Sequence, residues 1–277
     1  MANPDLPSKV AQALAAWRLA LDGALVTTRS SWLLPVRRDG EPCMLKVARI
    51  PDEAAGYRLM AWWGGEGAAR VLAAAQGVLL LERAITGRDL AQMAWAGQDD
   101  EACRLLCTTA GQLHAARRAP VPALHPLEAW FQPLLQGASG NPVLAPAAAI
   151  ARDLLAAPRD IRPLHGDLHH ENVLDFGARG WLAIDPHGLL GERTFDYANI
   201  FTNPDLSDPR RPLATLPGRL ERRLEVVTGE SGLEPARLLH WIVAWTGLSA
   251  AWFLGDGDEA GAAIDLAIGA TALRLLV

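Results

Sequence analysis

The segment LHGDLHHENVL, residues 164–174, holds three histidines, two carboxylates and an amide. Asp167 and Asn172 are five residues apart, and Asp185 follows thirteen residues later. The runs 173–176 and 181–184 are β-prone and flank Gly177-Ala178-Arg179-Gly180, so a hairpin there folds Asp185 back toward the 167–172 loop. Two carboxylates and an amide oxygen at one mouth are hard donors. That set suits Mg²⁺, which takes one or two carboxylates and leaves its other positions to phosphate oxygens and water. A second chemistry competes for the same residues. His165, Asp167, His169 and His170 with His187 could ligate zinc in a hydrolase, since imidazole and carboxylate suit that metal.

The pattern H-x-D-x-x-x-x-N followed by a metal-binding Asp is the phosphoryl-transfer arrangement of kinase-like folds. In it Asp167 orients an acceptor hydroxyl and takes its proton, while Asn172 and Asp185 hold Mg²⁺ against the phosphates of ATP. Lys46 gives separate support. Of 26 basic residues only Lys9 and Lys46 are lysines. An ammonium is a compact point charge that a planar guanidinium does not replace. On a strand of a small lobe, Lys46 is placed to clamp ATP phosphates, with Glu53 opening the next helix within its reach. The zinc reading needs neither Lys46 nor Asn172. A non-catalytic binding module would not need base, metal ligands and lysine together.

No G-x-G-x-x-G stands between the first strands. Residues 27–31, TTRSS, occupy that place, and the hydroxyls and amides of Ser30 and Ser31 are candidates to cover a phosphate. Glu82 and Ala84 lie in the connector, where backbone groups would meet adenine. The elements that must position these residues follow from pattern. Residues 8–21 read as an opening helix. WLLPVRR and EPCMLKVA flank Asp39-Gly40, a hairpin dipeptide because both positions tolerate φ > 0. A helix over 52–63 and a strand in GVLLLERA complete a small lobe. Helices are expected at 99–118, 147–157, 219–227 and from 235 to the end, with a Pro-rich stretch over 120–146 broken into short segments. The fold class expected is α+β: a small N-terminal ATP-binding lobe over 1–81, a hinge over 82–88 and a larger helical lobe over 89–277.

HGDLHHENVL, RGWLAIDPHGLLGE and TFDYANIF resemble the aminoglycoside/hydroxyurea phosphotransferase family of antibiotic resistance kinases, in particular its streptomycin 6-phosphotransferases. AGQLHAAR and LSAAWFLGDGDE are similar to it as well. The resemblance implies a bilobal protein-kinase-like fold, ATP as donor and Mg²⁺, with Asp167 as base, Asn172 and Asp185 as metal ligands and Lys46 as the phosphate lysine. It further implies O-phosphorylation of streptomycin at the 6-hydroxyl, conferring resistance. Another small hydroxylated acceptor, such as hydroxyurea, a sugar or an amino alcohol, is the alternative. Carboxylates suit a cationic acceptor, since guanidino groups bind them bidentately. Glu192, Asp196 and the acidic turn of Asp256, Asp258 and Glu259 are the candidates.

Composition narrows the remaining classes. The net charge is −5 with no basic block, so no nucleic-acid partner is expected. The apolar stretches near 241–254 and 260–277 are too short or interrupted by charge to read as membrane spans. Neither a leader pattern nor a disulfide framework is read from the N-terminus and three cysteines, so a reduced, cytoplasmic protein is expected. The sequence is silent on oligomeric state, for which a monomer is favoured.

Overall fold

The computed structural model describes residues 6–50, 53–138 and 141–276. Helix α1 (Ser8–Ala16) precedes strands β1 (Ala20–Leu21), β2 (Val26–Thr27), β3 (Ser31–Arg38) and β4 (Glu41–Ala48). Helix α2 (Glu53–Trp63) and strands β5 (Val71–Ala75) and β6 (Val78–Glu82) follow. These strands form one antiparallel sheet in which β3 pairs with β1, β2 and β4, and β6 lies between β4 and β5. The β3–β4 hairpin closes on Asp39 and Gly40 at φ 53° and 87°, the two positive angles that such a turn requires. Alternation along β4 then separates two faces. Cys43, Leu45 and Val47 join Val10 and Ala13 of α1 in one buried cluster. Lys46, on the opposite face, lies over the ring of Tyr57 of α2, 5.3 Å from its centroid.

The opening helix is shorter than its periodicity predicts. It ends at Ala16, Arg18 takes φ 53°, and Ala20–Leu21 becomes an edge strand against β3. Residues 71–75 carried no strand signal, being mostly alanine. They pair with β6 because Gly77, at φ 71°, turns the chain back on itself.

The second lobe is mainly helical: α3 (Leu90–Met93), α4 (Asp99–His114), α5 (Leu127–Trp130), α6 (Gln132–Gly137), α7 (Ala145–Ala156), α8 (Thr194–Ala198), α9 (Arg219–Ser231), α10 (Pro235–Gly255) and α11 (Glu259–Leu275). It also carries β7 (His125–Pro126), β8 (Ile161–Leu164), β9 (Val173–Asp175), β10 (Trp181–Ala183) and β11 (Leu189–Glu192). The expected hairpin is β9–β10, with Ala183 opposite Val173. Unforeseen in the sequence, β8 and β11 pair with Leu189 opposite Leu164, holding the two ends of the 165–188 region together. The apolar core does not divide at the connector. One buried cluster runs from Tyr57, Met60 and Leu81 to Trp241 and Leu248. Among the described residues α10 alone is long and apolar enough to cross a membrane, and 67% of its apolar window is buried inside the protein.

Two buried charges behave differently. Arg223 is matched: it forks onto Asp99 at 2.9 and 2.7 Å and donates to the carbonyls of Ile200 and Asn203. Asp265 of α11 is fully buried, and neither carboxyl oxygen has a hydrogen-bond partner. Burial pushes its pKa well above the usual carboxylate range, so the folded protein keeps a proton there that the unfolded chain releases. Stability must then fall as pH rises above the unfolded value. Asp265→Asn is therefore expected to match the wild type near pH 4 and to gain on it as pH rises above the unfolded carboxylate value, by up to about 1.4 kcal/mol per unit until the folded group ionises. Urea denaturation across that range checks it, and parallel curves for the two proteins would contradict it.

Candidate active site

The loop after β8 rests on a buried carboxylate. Asp196 of α8 is fully buried and accepts the backbone N–H groups of His165 and Gly166 at 2.9 and 2.8 Å. His114 Nε2, at 2.8 Å, donates to it as well. The His165 ring faces the Ile184 carbonyl through Nε2 at 2.8 Å and receives the Asp167 N–H on Nδ1 at 3.2 Å. Those two partners require the neutral tautomer with hydrogen on Nε2, and burial pushes the ring's pKa down in agreement. Trp63 of α2 stacks on this imidazole at 20°. The HGD turn is thus fixed from below, behind and one side.

What it presents is Asp167, whose side chain is 33% exposed. Its partial burial opposes ionisation, but the neighbouring histidines, His169 foremost, hold the carboxyl well below the usual range. Burial likewise opposes charge on His169, and Asp167 at 3.4 Å outweighs it, raising that imidazole. Asn172 donates Nδ2 to the Asp167 carbonyl at 2.8 Å and to its Oδ2 at 3.1 Å. Because both partners are acceptors, the amide orientation is set and its Oδ1 is left for a cation.

Asp185 arrives as the hairpin predicts. The Ile184 N–H donates to the Asn172 carbonyl at 2.9 Å, and the His187 N–H donates to the His165 carbonyl at 2.8 Å. Between these anchors Asp185 takes φ 60°, a left-handed conformation that Asp tolerates better than most residues. Its side chain is 42% exposed. Asn172 Oδ1 and the Asp185 carboxylate are hard oxygens on neighbouring backbone with open surroundings, a donor set that fits Mg²⁺.

Lys46 closes the site from above. Its buried ammonium contacts Glu53 Oε2 at 2.6 Å and pairs with Asp185 Oδ1. Helix α2, which carries Glu53, sits on the 185–188 loop through backbone contact. A Cβ on Gly56 would collide with the Pro186 carbonyl oxygen, and one on Gly188 would lie 2.7 Å from the Gly56 nitrogen. Neither glycine was singled out in the sequence, where nothing marks a close backbone approach.

The other expected site residues divide. Asp196 and Glu192 are not substrate residues. Asp196 is spent under the loop. Glu192 is buried and taken up by Arg237, the Trp241 indole N–H and the Arg159 amide. Asp258 caps α11 by accepting the Gly261 N–H at 3.0 Å, whereas Glu259 is exposed. Asp256 is exposed and holds the Arg29 guanidinium at 2.9 Å. Ser31 is buried and its N–H donates to Thr28 Oγ1, so it is withdrawn from any phosphate. Ser30 stays in the turn, its carbonyl accepting from Arg49. The Glu82 side chain accepts the Arg70 N–H at 2.6 Å and pairs with Arg179, tying the 177–180 turn to the sheet. Ala84 has no backbone hydrogen-bond partner among the described residues.

The zinc arrangement does not form. His165 spends both ring nitrogens internally, and His170 is buried with neither ring nitrogen partnered. His187 packs on Trp130. Among the described residues no three His, Cys, Asp or Glu side chains group to hold a metal ion.

Gly56→Ala should separate α2 from the loop. The expected result is a loss of about 1–3 kcal/mol of stability together with weaker binding of magnesium nucleotide. Denaturation and calorimetric titration check it, and wild-type values in both would show that the close contact is dispensable.

Comparison with known proteins agrees with this geometry. The family described as aminoglycoside/hydroxyurea antibiotic resistance kinase matches residues 16–257. The streptomycin 3''-kinase of Klebsiella pneumoniae is 71% identical over 262 residues, covering 94% of this chain and 98% of that protein. The streptomycin 6-kinase of Streptomyces glaucescens is 32% identical over 276 residues, covering 92% and 85%. The expected leaning toward 6-phosphotransferases is corrected by that difference. Among solved structures, aminoglycoside phosphotransferase APH(4)-Ia has the same fold, with a TM-score of 0.70 at 16% identity and coverage of 96% of this chain and 98% of that one. With the phosphoryl-transfer loop, the lysine and the two-lobe frame in place, the chain belongs to the aminoglycoside/hydroxyurea antibiotic resistance kinases, ATP-dependent O-phosphotransferases of protein-kinase-like fold.

Proposed function

We propose that this protein transfers the γ-phosphate of ATP to the 3''-hydroxyl of streptomycin and so confers resistance to that antibiotic. The observation that carries the reading is 71% identity to a streptomycin 3''-kinase over almost the full length of both chains. A match that extensive includes the acceptor-binding lobe as well as the nucleotide loop.

The residues described perform the chemistry as follows. Lys46 binds phosphate oxygens, its position fixed by Glu53 and by the Tyr57 ring. The unpartnered backbone of Ala84 would be available to the base. Asn172 Oδ1 and Asp185 would hold Mg²⁺, which draws charge from the transferring phosphoryl group. Asp167 orients the acceptor hydroxyl and takes its proton as the new O–P bond forms. Its depressed pKa keeps it ionised but makes it a weak base. That is adequate here, because a loose phosphoryl transition state depends more on alignment than on early deprotonation. The three cysteines are free and buried, which supports a reduced, cytoplasmic setting.

Two measurements test the reading. Asp167→Ala should lower kcat by about 10²- to 10⁴-fold with ATP affinity nearly unchanged, and near-normal turnover would remove Asp167 from the base role. Phosphorus–proton correlation NMR of the product should place the phosphate on the 3'' carbon. A phosphate on carbon 6 would return the 6-kinase assignment.

A further inference from the structure

An aromatic wall starts at the catalytic loop and ends at the acidic turn. His187, two residues past Asp185, has its ring 4.7 Å from Trp130 of α5, whose ring meets Trp252 of α10 edge-on at 5.5 Å. The wall is rooted in the core, since Trp252 packs at 6.0 Å on Trp245, which packs at 5.7 Å on Phe195. The Trp130 indole N–H is buried without a partner, so ring packing alone sets its place. Both indoles at the surface, Trp130 and Trp252, are half-buried, and His187 is exposed.

Asp256 lies one helical turn beyond Trp252, its N–H donating to the Trp252 carbonyl at 3.0 Å. Residues four apart share a helix face, so a carboxylate and an indole stand side by side at the outer end of the wall. Asp256 already holds a guanidinium, that of Arg29, which comes from the turn before β3 on the other side of the cleft. Both partners of that pair are largely exposed, and such a pair is readily exchanged.

We infer that Trp130, Trp252 and Asp256 form the subsite for a guanidino group of the acceptor, and that Arg29 occupies its carboxylate when no acceptor is present. The inference rests on streptomycin, which carries guanidino groups, as the substrate. A guanidinium stacks on an indole face while pairing its N–H groups with a carboxylate, so the two halves of the wall act on one group. The wall begins beside Asp185, and a molecule anchored at Asp256 extends along it toward Asp167.

The probe is streptidine, the guanidino-bearing cyclitol of streptomycin, with streptamine, the corresponding diamine, as control. Binding to the full-length protein is measured calorimetrically and needs no turnover. Trp252→Leu and Asp256→Asn should each weaken streptidine binding about tenfold and leave streptamine nearly unaffected. Trp252→Phe should restore most of the affinity, which a merely structural defect would not allow. Arg29→Ala should tighten streptidine by about two- to fivefold. Wild-type phosphorylation of streptomycin, measured alongside, tests the functional reading separately. If the wild type phosphorylates streptomycin while Trp252→Leu and Asp256→Asn keep its streptidine affinity, the subsite is overturned and the function stands. If the wild type neither binds streptidine nor phosphorylates streptomycin, both fall.

Discussion

The site depends on one buried carboxylate. Asp196 has no contact with water, and an ion so placed is tolerated only when its oxygens are fully matched. Two consecutive amides and an imidazole match them. Those amides belong to His165 and Gly166, the two residues before Asp167, so the charge that cannot be left unpaired also dictates the course of the loop. The β8–β11 pair then ties off both ends of the region. Asp167 is consequently a partly exposed group on a rigid base, as a residue needs to be if it is to align a hydroxyl.

A second set of charges lies above the first. One ammonium, Lys46, serves two carboxylates, Glu53 and Asp185. That trio is one positive charge short of balance, and the deficit lies at the side facing the cleft, where Asp185 is more exposed than Glu53. Asp185, with Asn172 beside it, would hold a divalent cation there, whose charge would supply what is missing. The buried Arg223–Asp99 pair is the opposite case, complete within the protein and remote from any exchange.

Much of this was legible in the sequence because it is local or periodic. The spacing of Asp167, Asn172 and Asp185, the Asp39-Gly40 turn and the lone strand lysine each encode geometry within a few residues. Long-range contacts were not legible. Asp196 and Glu192 read as acids near the metal aspartate, and only the fold reveals that their partners, His114 and Arg237, lie 82 and 45 residues away. Ser31 reads as a turn hydroxyl, yet it is buried at the head of β3, on the face opposite Leu34 and Val36. The alanine strand β5 has no propensity signal and exists through its pairing alone. The leaning toward the 6-kinases has a different source: the motifs around Asp167 and Asp185 mark the family, and a fold or family motif does not fix the acceptor.

The backbone contact between Gly56 and Pro186 has one further consequence. Many enzymes built on this plan are controlled by swinging the helix that carries the lysine's carboxylate partner, which requires a hinge and free space behind it. Here that helix rests directly on the 185–188 loop, and its far end, Trp63, is stacked on His165 of the loop after β8. Direct backbone packing therefore seats the helix, with no gap between Gly56 and Pro186 into which it could move. The same contact keeps Glu53 beside Lys46 by main-chain packing alone, so the pairing does not depend on the rotamer of any side chain between the helix and the loop.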